Sequence, residues 1–479
     1  MDVKDLTVKK ISEGLRKKEF SARELTQAYI TEITARDGDV GAFLAVTNTS
    51  ALESAGRADE LLASGAELPA LTGVPIAIKD NILITGQQAT AGSRMLENYV
   101  ATYDAGVIKR LKANNAVFIG KTNLDEFAMG SSTENSAFKT TKNPHDLTRV
   151  AGGSSGGSAA SVSANFAPTA LGSDTGGSIR QPSAFCGVVG LKPTYGAVSR
   201  YGVIALASSL DQVGPFAKTV EDAGIVFKAI AGKDQNDNTS VAHEYGLELT
   251  NPDFEAVKKM TIGIPEEYFI DGIEPEVRKA VDETIEFYKK QGIAIKKISL
   301  PHTKYALSCY YIILPAEASS NLARFDGIRY APVKGVERNN LTLAELYKHN
   351  KSRGFGPEPT RRILLGTFVL SSGYYDAYYK KALAVQRAIT ADFTEAFKEV
   401  DAILTPVTPT RAFKVGEKAN DPLAMYLSDI FTIPTNLAGL PAISIPVRGV
   451  TGLPIGFQLI GKHWREQDLI GLGMLYERN

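Results

Sequence analysis

Apolar residues recur at helical spacing from the start of the chain, at Val8, Ile11 and Leu15. Ser21 and Glu24 then form a capping box ahead of Leu25, Ala28, Tyr29 and Ile33. Residues 3–64 therefore read as a helical layer, with a turn near Gly38 and a third helix over 49–63. Near Pro69 the period shortens. Residues 74–78 (VPIAI) predict a buried strand that delivers Lys79, and a helix over 105–114 followed by a strand over 116–119 completes a βαβ unit. Thr219 caps a helix whose buried stripe is Ala223, Val226, Phe227 and Ile230. A second βαβ unit follows: a strand over 260–265, a helix opened by Pro275 and carrying Val277, Val281, Ile285 and Tyr288, and a strand over 293–298. Helical patterns continue over 305–329, 343–347, 361–370 and 378–399, and residues 401–406 read as another strand. PAISIPVRG and TGLPIGFQLIG read as two strands, one at or near a sheet edge because proline interrupts it, and residues 468–479 read as a closing helix. The prediction is an α/β protein with one large mixed sheet covered by helices on both faces. Residues 1–64 form a helical layer of the same domain, and residues 65–479 form the core.

Composition narrows the functional classes. Across 479 residues, 53 basic side chains balance 53 acidic ones, so the chain has no overall field to draw in a polyanion. If it acts on a nucleic acid, another molecule holds most of that nucleic acid. Cys186 and Cys309 are the only cysteines, and they stand in no metal-ligand spacing, which predicts two buried free thiols. A charged N-terminus and the lack of any long apolar run predict a soluble, cytoplasmic chain with no membrane segment.

The densest chemistry lies in residues 149–178, RVAGGSSGGSAASVSANFAPTALGSDTGGS. Two Gly/Ser turns enclose the apolar run 164–171, whereas a flexible linker would be uniformly polar. Three imitations are set aside. Gly152-Gly153-Ser154-Ser155-Gly156 fits a nucleophile elbow, but the preceding DLTRVA is a poor strand and no later histidine lies in a Gly-rich turn. Gly120-Lys121-Thr122 ends like a phosphate-binding loop, but the position that needs glycine is Asn115. His243-Glu244 lacks a second histidine at metal-binding distance, so no metal is expected.

With only five histidines, the natural candidate for a base is a lysine at a strand end. Lys79 follows five apolar residues, and a buried ammonium loses basicity. Ser154, Ser155, Ser158, Ser173 and Ser178 offer hydroxyls, and Gly176-Gly177-Ser178 presents successive backbone N–H groups able to hold an anion. On residues alone three readings stay open: a Ser/Lys acyl-transfer enzyme, purely structural turns beside a solvated lysine, and a phosphate-binding module.

At these residues the chain resembles the amidase signature family, through Lys79, GGSSGGSAA at 152–160 and GSDTGGSIRQPSAFCGVVGLKPTYG at 172–196. The resemblance implies the amidase signature fold. It further implies Ser178 as nucleophile, Ser154 as a bridging serine on a cis peptide, Lys79 as the base, and the N–H groups of Thr175, Gly176, Gly177 and Ser178 as the oxyanion hole. The stretches at 316–330, 361–382 and 428–446 are similar to one branch of that family, the glutaminase subunits of tRNA-dependent amidotransferases. That similarity implies an enzyme that frees ammonia from glutamine to convert Glu-tRNA(Gln) to Gln-tRNA(Gln), and leaves open the conversion of Asp-tRNA(Asn) to Asn-tRNA(Asn) as well. It implies no cofactor in this chain, B and C partner subunits in a heterotrimer, ATP and Mg used by the B partner, and misacylated tRNA held mainly by the partner. Glutamine carries an α-carboxylate and an α-ammonium. The resemblance assigns Arg361 or Arg362 to the first and Asp429 to the second, with Tyr310 or Tyr311 over the side-chain amide. Without it, Arg361/Arg362 read as a surface pair at a helix start and Asp429 as a turn residue. Tyr374, Tyr375, Tyr378 and Tyr379 read as packing and interface. Stand-alone amidases of aliphatic or aryl amides, and urea or allophanate amidases, are the alternatives; they share the serines and lysine but not the Arg/Asp pair.

Overall fold

A computed structural model of the chain describes residues 1–336 and 341–478. Its strands are β1 Phe43–Val46, β2 Pro75–Lys79, β3 Val117–Thr122, β4 Lys142–Asn143, β5 Asp146–Val150, β6 Thr169–Asp174, β7 Val189–Lys192, β8 Gln212–Ala217, β9 Thr261–Pro265, β10 Ala294–Ile298, β11 Ala402–Pro406, β12 Ala442–Pro446 and β13 Gly456–Gly461. Eleven of them form one sheet in the order β1-β3-β2-β6-β8-β7-β12-β13-β11-β9-β10, and β4 and β5 pair separately. The sheet is mixed. β2 runs parallel to both β3 and β6, and β9 parallel to β10, as the two βαβ patterns predict, while β6, β7 and β12 each meet an antiparallel neighbour.

Strand alternation feeds two apolar layers. Ala402 and Leu404 join one buried cluster while Ile403 joins the other, and Ile443 and Ala442 divide in the same way. The first layer includes buried residues of the helices Val8–Lys17, Ala22–Val40, Val220–Ile230, Pro275–Lys290 and Glu466–Arg478. The second includes those of Ala306–Leu322 and Lys381–Ala396. Helices thus cover both faces. Cys186 and Cys309 are buried and free. Among the described residues no helix is long and apolar enough to cross a membrane.

Three local expectations are corrected. Gly38 lies inside the helix Ala22–Val40, which ends at Gly41 in the left-handed conformation (φ +71°). Residues 43–46 leave the helical layer to pair antiparallel with β3, so β1 forms one edge of the sheet. Neither β12 nor β13 is an edge strand, because Pro441 precedes β12 and Pro446 is its last residue, which leaves the ladder between them unbroken. The closing helix spans Glu466–Arg478, and residue 479 of the predicted one lies outside the described residues.

Candidate active site

Lys79 ends β2 beside the end of β6, because the two strands run parallel with Ile78 opposite Leu171. Its ammonium is fully buried. Nζ lies 2.9 Å from Ser154 Oγ, 2.7 Å from Ser155 Oγ and 3.0 Å from Ser173 Oγ. Asn81 Nδ2 also donates to Ser173 Oγ, at 3.0 Å. Burial pulls Lys79 down to about 7, although Asp125, Asp174 and Asp211 favour its charged form. A lysine so placed can stand uncharged near neutrality and take a proton from a neighbouring hydroxyl.

The Gly153–Ser154 peptide is cis. Ser155 N donates to Ser178 O at 3.2 Å, and Asp125 N to Ser154 O at 3.2 Å, so this turn is laid directly against the second Gly/Ser turn. No hydrogen bond joins the Ser154 and Ser178 hydroxyls among the described residues. Ser158, also a candidate hydroxyl, is taken up elsewhere, 2.7 Å from Thr122 Oγ1 and donating to Leu171 O at 2.9 Å.

The second turn is shaped by Asp174. Its Oδ1 accepts Gly177 N at 2.9 Å and its Oδ2 accepts Ile179 N at 3.1 Å. Of the four expected oxyanion donors, Gly177 is therefore occupied, which leaves Thr175, Gly176 and Ser178. Arg180 holds the same carboxylate through Nε and Nη2, both at 3.1 Å, with neither side chain exposed. Burial alone would raise Asp174, but the Arg180 guanidinium keeps it at about 2. Replacing Arg180 by Met would strand a buried carboxylate. We expect a loss of about 3–5 kcal/mol, read as a thermal unfolding temperature several degrees lower.

Tyr310 stands over Gly176 of this turn, and Arg362 packs against the neighbouring Tyr311. A Cβ on Gly176 would stand 2.5 Å from the Tyr310 hydroxyl, and one on Gly177 would overlap Thr432 Oγ1, so only glycine fits beneath these side chains. Tyr311 stacks on Tyr426, centroids 3.9 Å apart, and the Arg362 guanidinium lies 5.1 Å from the Tyr311 ring centre. Arg362 is buried and donates to Glu358 Oε1 at 2.8 Å, whereas the Arg361 side chain, also paired with Glu358, is 49% exposed. Asp429 is buried, and burial raises it to about 7. Tyr374, Tyr375 and Tyr378 lie on the surface, with Tyr374 and Tyr378 packed on Phe368.

Some expected decoys have structural partners. Lys121 is buried and donates to Asp80 Oδ1 at 2.8 Å. Among the described residues no group of three or more His, Cys, Asp or Glu side chains is arranged to hold a metal. The sequence reading missed Asp125 and Ser131. Asp125 accepts Thr133 N at 2.9 Å and Asn135 N at 3.1 Å, and the Ser131 hydroxyl donates to Asp429 Oδ2. Asp125 stands in NLDEFAM and Ser131 in GSSTENS, and neither stretch has a pattern that sets the residue apart from its neighbours.

Comparison with family profiles matches residues 24–470 to the amidase family. The chain belongs to the amidase family. Within that family it is 54% identical over 481 residues to the A subunit of glutamyl-tRNA(Gln) amidotransferase from Carboxydothermus hydrogenoformans, covering 100% of this chain and 98% of that one. The crystal structure of the corresponding A subunit of glutamyl-tRNA(Gln) amidotransferase from Thermotoga maritima superposes with a TM-score of 0.82 at 43% identity, covering 100% of this chain and 96% of that one. Another amidase-fold structure, the peptide amidase of Stenotrophomonas maltophilia, gives a TM-score of 0.82 at 27% identity, covering 99% and 96%.

Proposed function

We propose that the chain is the glutaminase subunit of a glutamyl-tRNA(Gln) amidotransferase. The reading rests above all on one observation: full-length identity of 54% to the A subunit of such an enzyme. The surrounding charges agree with it, since Asp429 lies beside Gly177 and Arg362, packed on Tyr311, is near enough to act on Asp429 and Tyr310.

In this reading glutamine enters with its α-carboxylate on Arg362 and its α-ammonium on Asp429, beneath Tyr310. Uncharged Lys79 takes the Ser154 proton as Ser154 takes that of Ser178, and Ser178 Oγ bonds to the side-chain amide carbon. This requires the two serine hydroxyls to come together when substrate is bound. The N–H groups of Thr175, Gly176 and Ser178 hold the oxygen as it gains charge. The C–N bond then breaks, and the relay returns the proton to the departing nitrogen, which leaves as ammonia. Water attacks the glutamyl ester by the same relay and releases glutamate. The chain works in a complex with its amidotransferase partners. Activation of the tRNA-linked carboxylate, with ATP and Mg, belongs to the partner, in keeping with a formal net charge of +0 here.

The test is glutamate release from glutamine by the purified chain, alone and co-expressed with its B and C partners, with asparagine and a neutral aliphatic amide as comparison substrates. Glutamine should be preferred, and its turnover should rise with the partners present. Fast hydrolysis of the neutral amide by the chain alone would instead identify a stand-alone amidase.

A further inference from the structure

Asp429 retains only 9% exposure, and its two carboxylate oxygens have different surroundings. Oδ2 accepts the hydroxyl of Ser131. Oδ1 is buried without a hydrogen-bond partner, 3.2 Å from where a Cβ on Gly177 would stand, and so faces the turn that carries Ser178. Buried carboxylate oxygens are normally satisfied, and one left unpaired beside the Ser178 turn lacks a donor that a ligand ammonium can supply.

Ser131 is itself 3% exposed and held from several sides. Its carbonyl accepts Gln181 Nε2 at 2.8 Å, and Gln181 Oε1 accepts Gly153 N at 2.9 Å. The next residues are pinned by Asp125, whose Oδ2 accepts Ser132 N at 3.3 Å and Thr133 N at 2.9 Å. The Thr133 hydroxyl donates to Gly152 O at 2.7 Å. The Ser131 hydroxyl therefore reaches Asp429 from a backbone fixed to the Ser154 turn. A serine hydroxyl has one proton to give, and here it goes to Oδ2, which leaves Oδ1, the oxygen beside Gly177, without a donor.

We propose that Ser131 is a positioning residue for substrate selection: by holding Oδ2 of Asp429 it fixes the carboxylate so that Oδ1 meets the α-ammonium of glutamine. The proposal rests on the reading of Asp429 as the partner of that ammonium. An amide without an α-ammonium would leave Oδ1 buried and unpaired, so the same hydrogen bond that orients the correct substrate penalises the incorrect one.

The experiment measures kcat/KM for glutamine and for its analogue lacking the α-amino group, using the whole chain co-expressed with its partners. The readout is the ratio of the two values. Ser131→Ala should lower that ratio about tenfold or more, through a higher KM for glutamine, because it removes a hydrogen bond to a charged group. Ser131→Cys, which keeps nearly the same size with a much weaker donor, should move the ratio in the same direction and serves if the alanine variant does not fold. Asp429→Asn is the reference, expected to lower the ratio at least as far. If Asp429→Asn lowers the ratio and the Ser131 variants leave it unchanged, the proposal is overturned and the ammonium assignment stands. If none of the variants moves the ratio, the ammonium assignment fails and the proposal falls with it. An equal loss on both substrates in the Ser131 variants would mean a structural role and overturn the proposal as well.

Discussion

Ser178→Ala should lower glutamine-dependent amidation by ~10³-fold or more while leaving amidation driven by added ammonium salts intact. The expectation follows from what the substitution removes and what it keeps. It deletes the one oxygen able to form the ester. It retains the backbone carbonyl that accepts Ser155 N at 3.2 Å and the backbone N–H of the same residue. Ser178 is buried, but the change removes a single oxygen atom, too small a volume to leave a large cavity. Ammonium salts bypass the ester altogether, and they report whether the complex is still assembled and whether the partner's chemistry still runs. Mass spectrometry of the acid-quenched wild-type enzyme should find the glutamyl group on the peptide that contains Ser178. Loss of both activities together would make Ser178 a structural residue instead.

How far the sequence reveals such a site depends on how local its causes are. Lys79, Ser154 and Ser178 are legible because each is announced by its neighbours, an apolar strand ahead of the lysine and glycines around the serines. The two βαβ units are legible for the same reason. β1 gives no signal because four residues, FLAV, are too short to show an alternating period. The central place of β12 is hidden because a proline disrupts a sheet only where it removes a ladder donor, and here the prolines sit at the strand ends. The Arg361/Arg362 choice turns on helix phase. Adjacent residues point about 100° apart on a helix, and only the packing of Tyr311 and Tyr426 decides that Arg362 faces inward. Ser131 lies furthest from any local signal, since its partner Asp429 is 298 residues away. A contact of that separation is a property of the fold and leaves no mark on the pattern around either residue.

Lys79→Met, which keeps an unbranched stem as far as Cε but lacks the terminal nitrogen, should reduce glutamine hydrolysis by ~10³-fold, again sparing the reaction with ammonium salts. It should also change the pH profile in a way that tests the lysine's charge. Burial brings Lys79 to about 7, and the base is the uncharged form, so the wild-type kcat should rise as pH increases through about 7 and then level off. Asp429 rises to about 7, also by burial, and only its ionised form can pair with an α-ammonium, so glutamine binding should improve over the same interval. Both effects have the same sign but do not enter the same set of constants. Lys79 governs proton transfer and appears in both kcat and kcat/KM, whereas Asp429 acts on binding and appears in kcat/KM without appearing in kcat. In Asp429→Asn the kcat limb near pH 7 should persist. In Lys79→Met the residual kcat should lose that limb while the pH dependence of KM remains. A Lys79→Met enzyme that kept the wild-type kcat profile would show that some other group takes the proton from the serines.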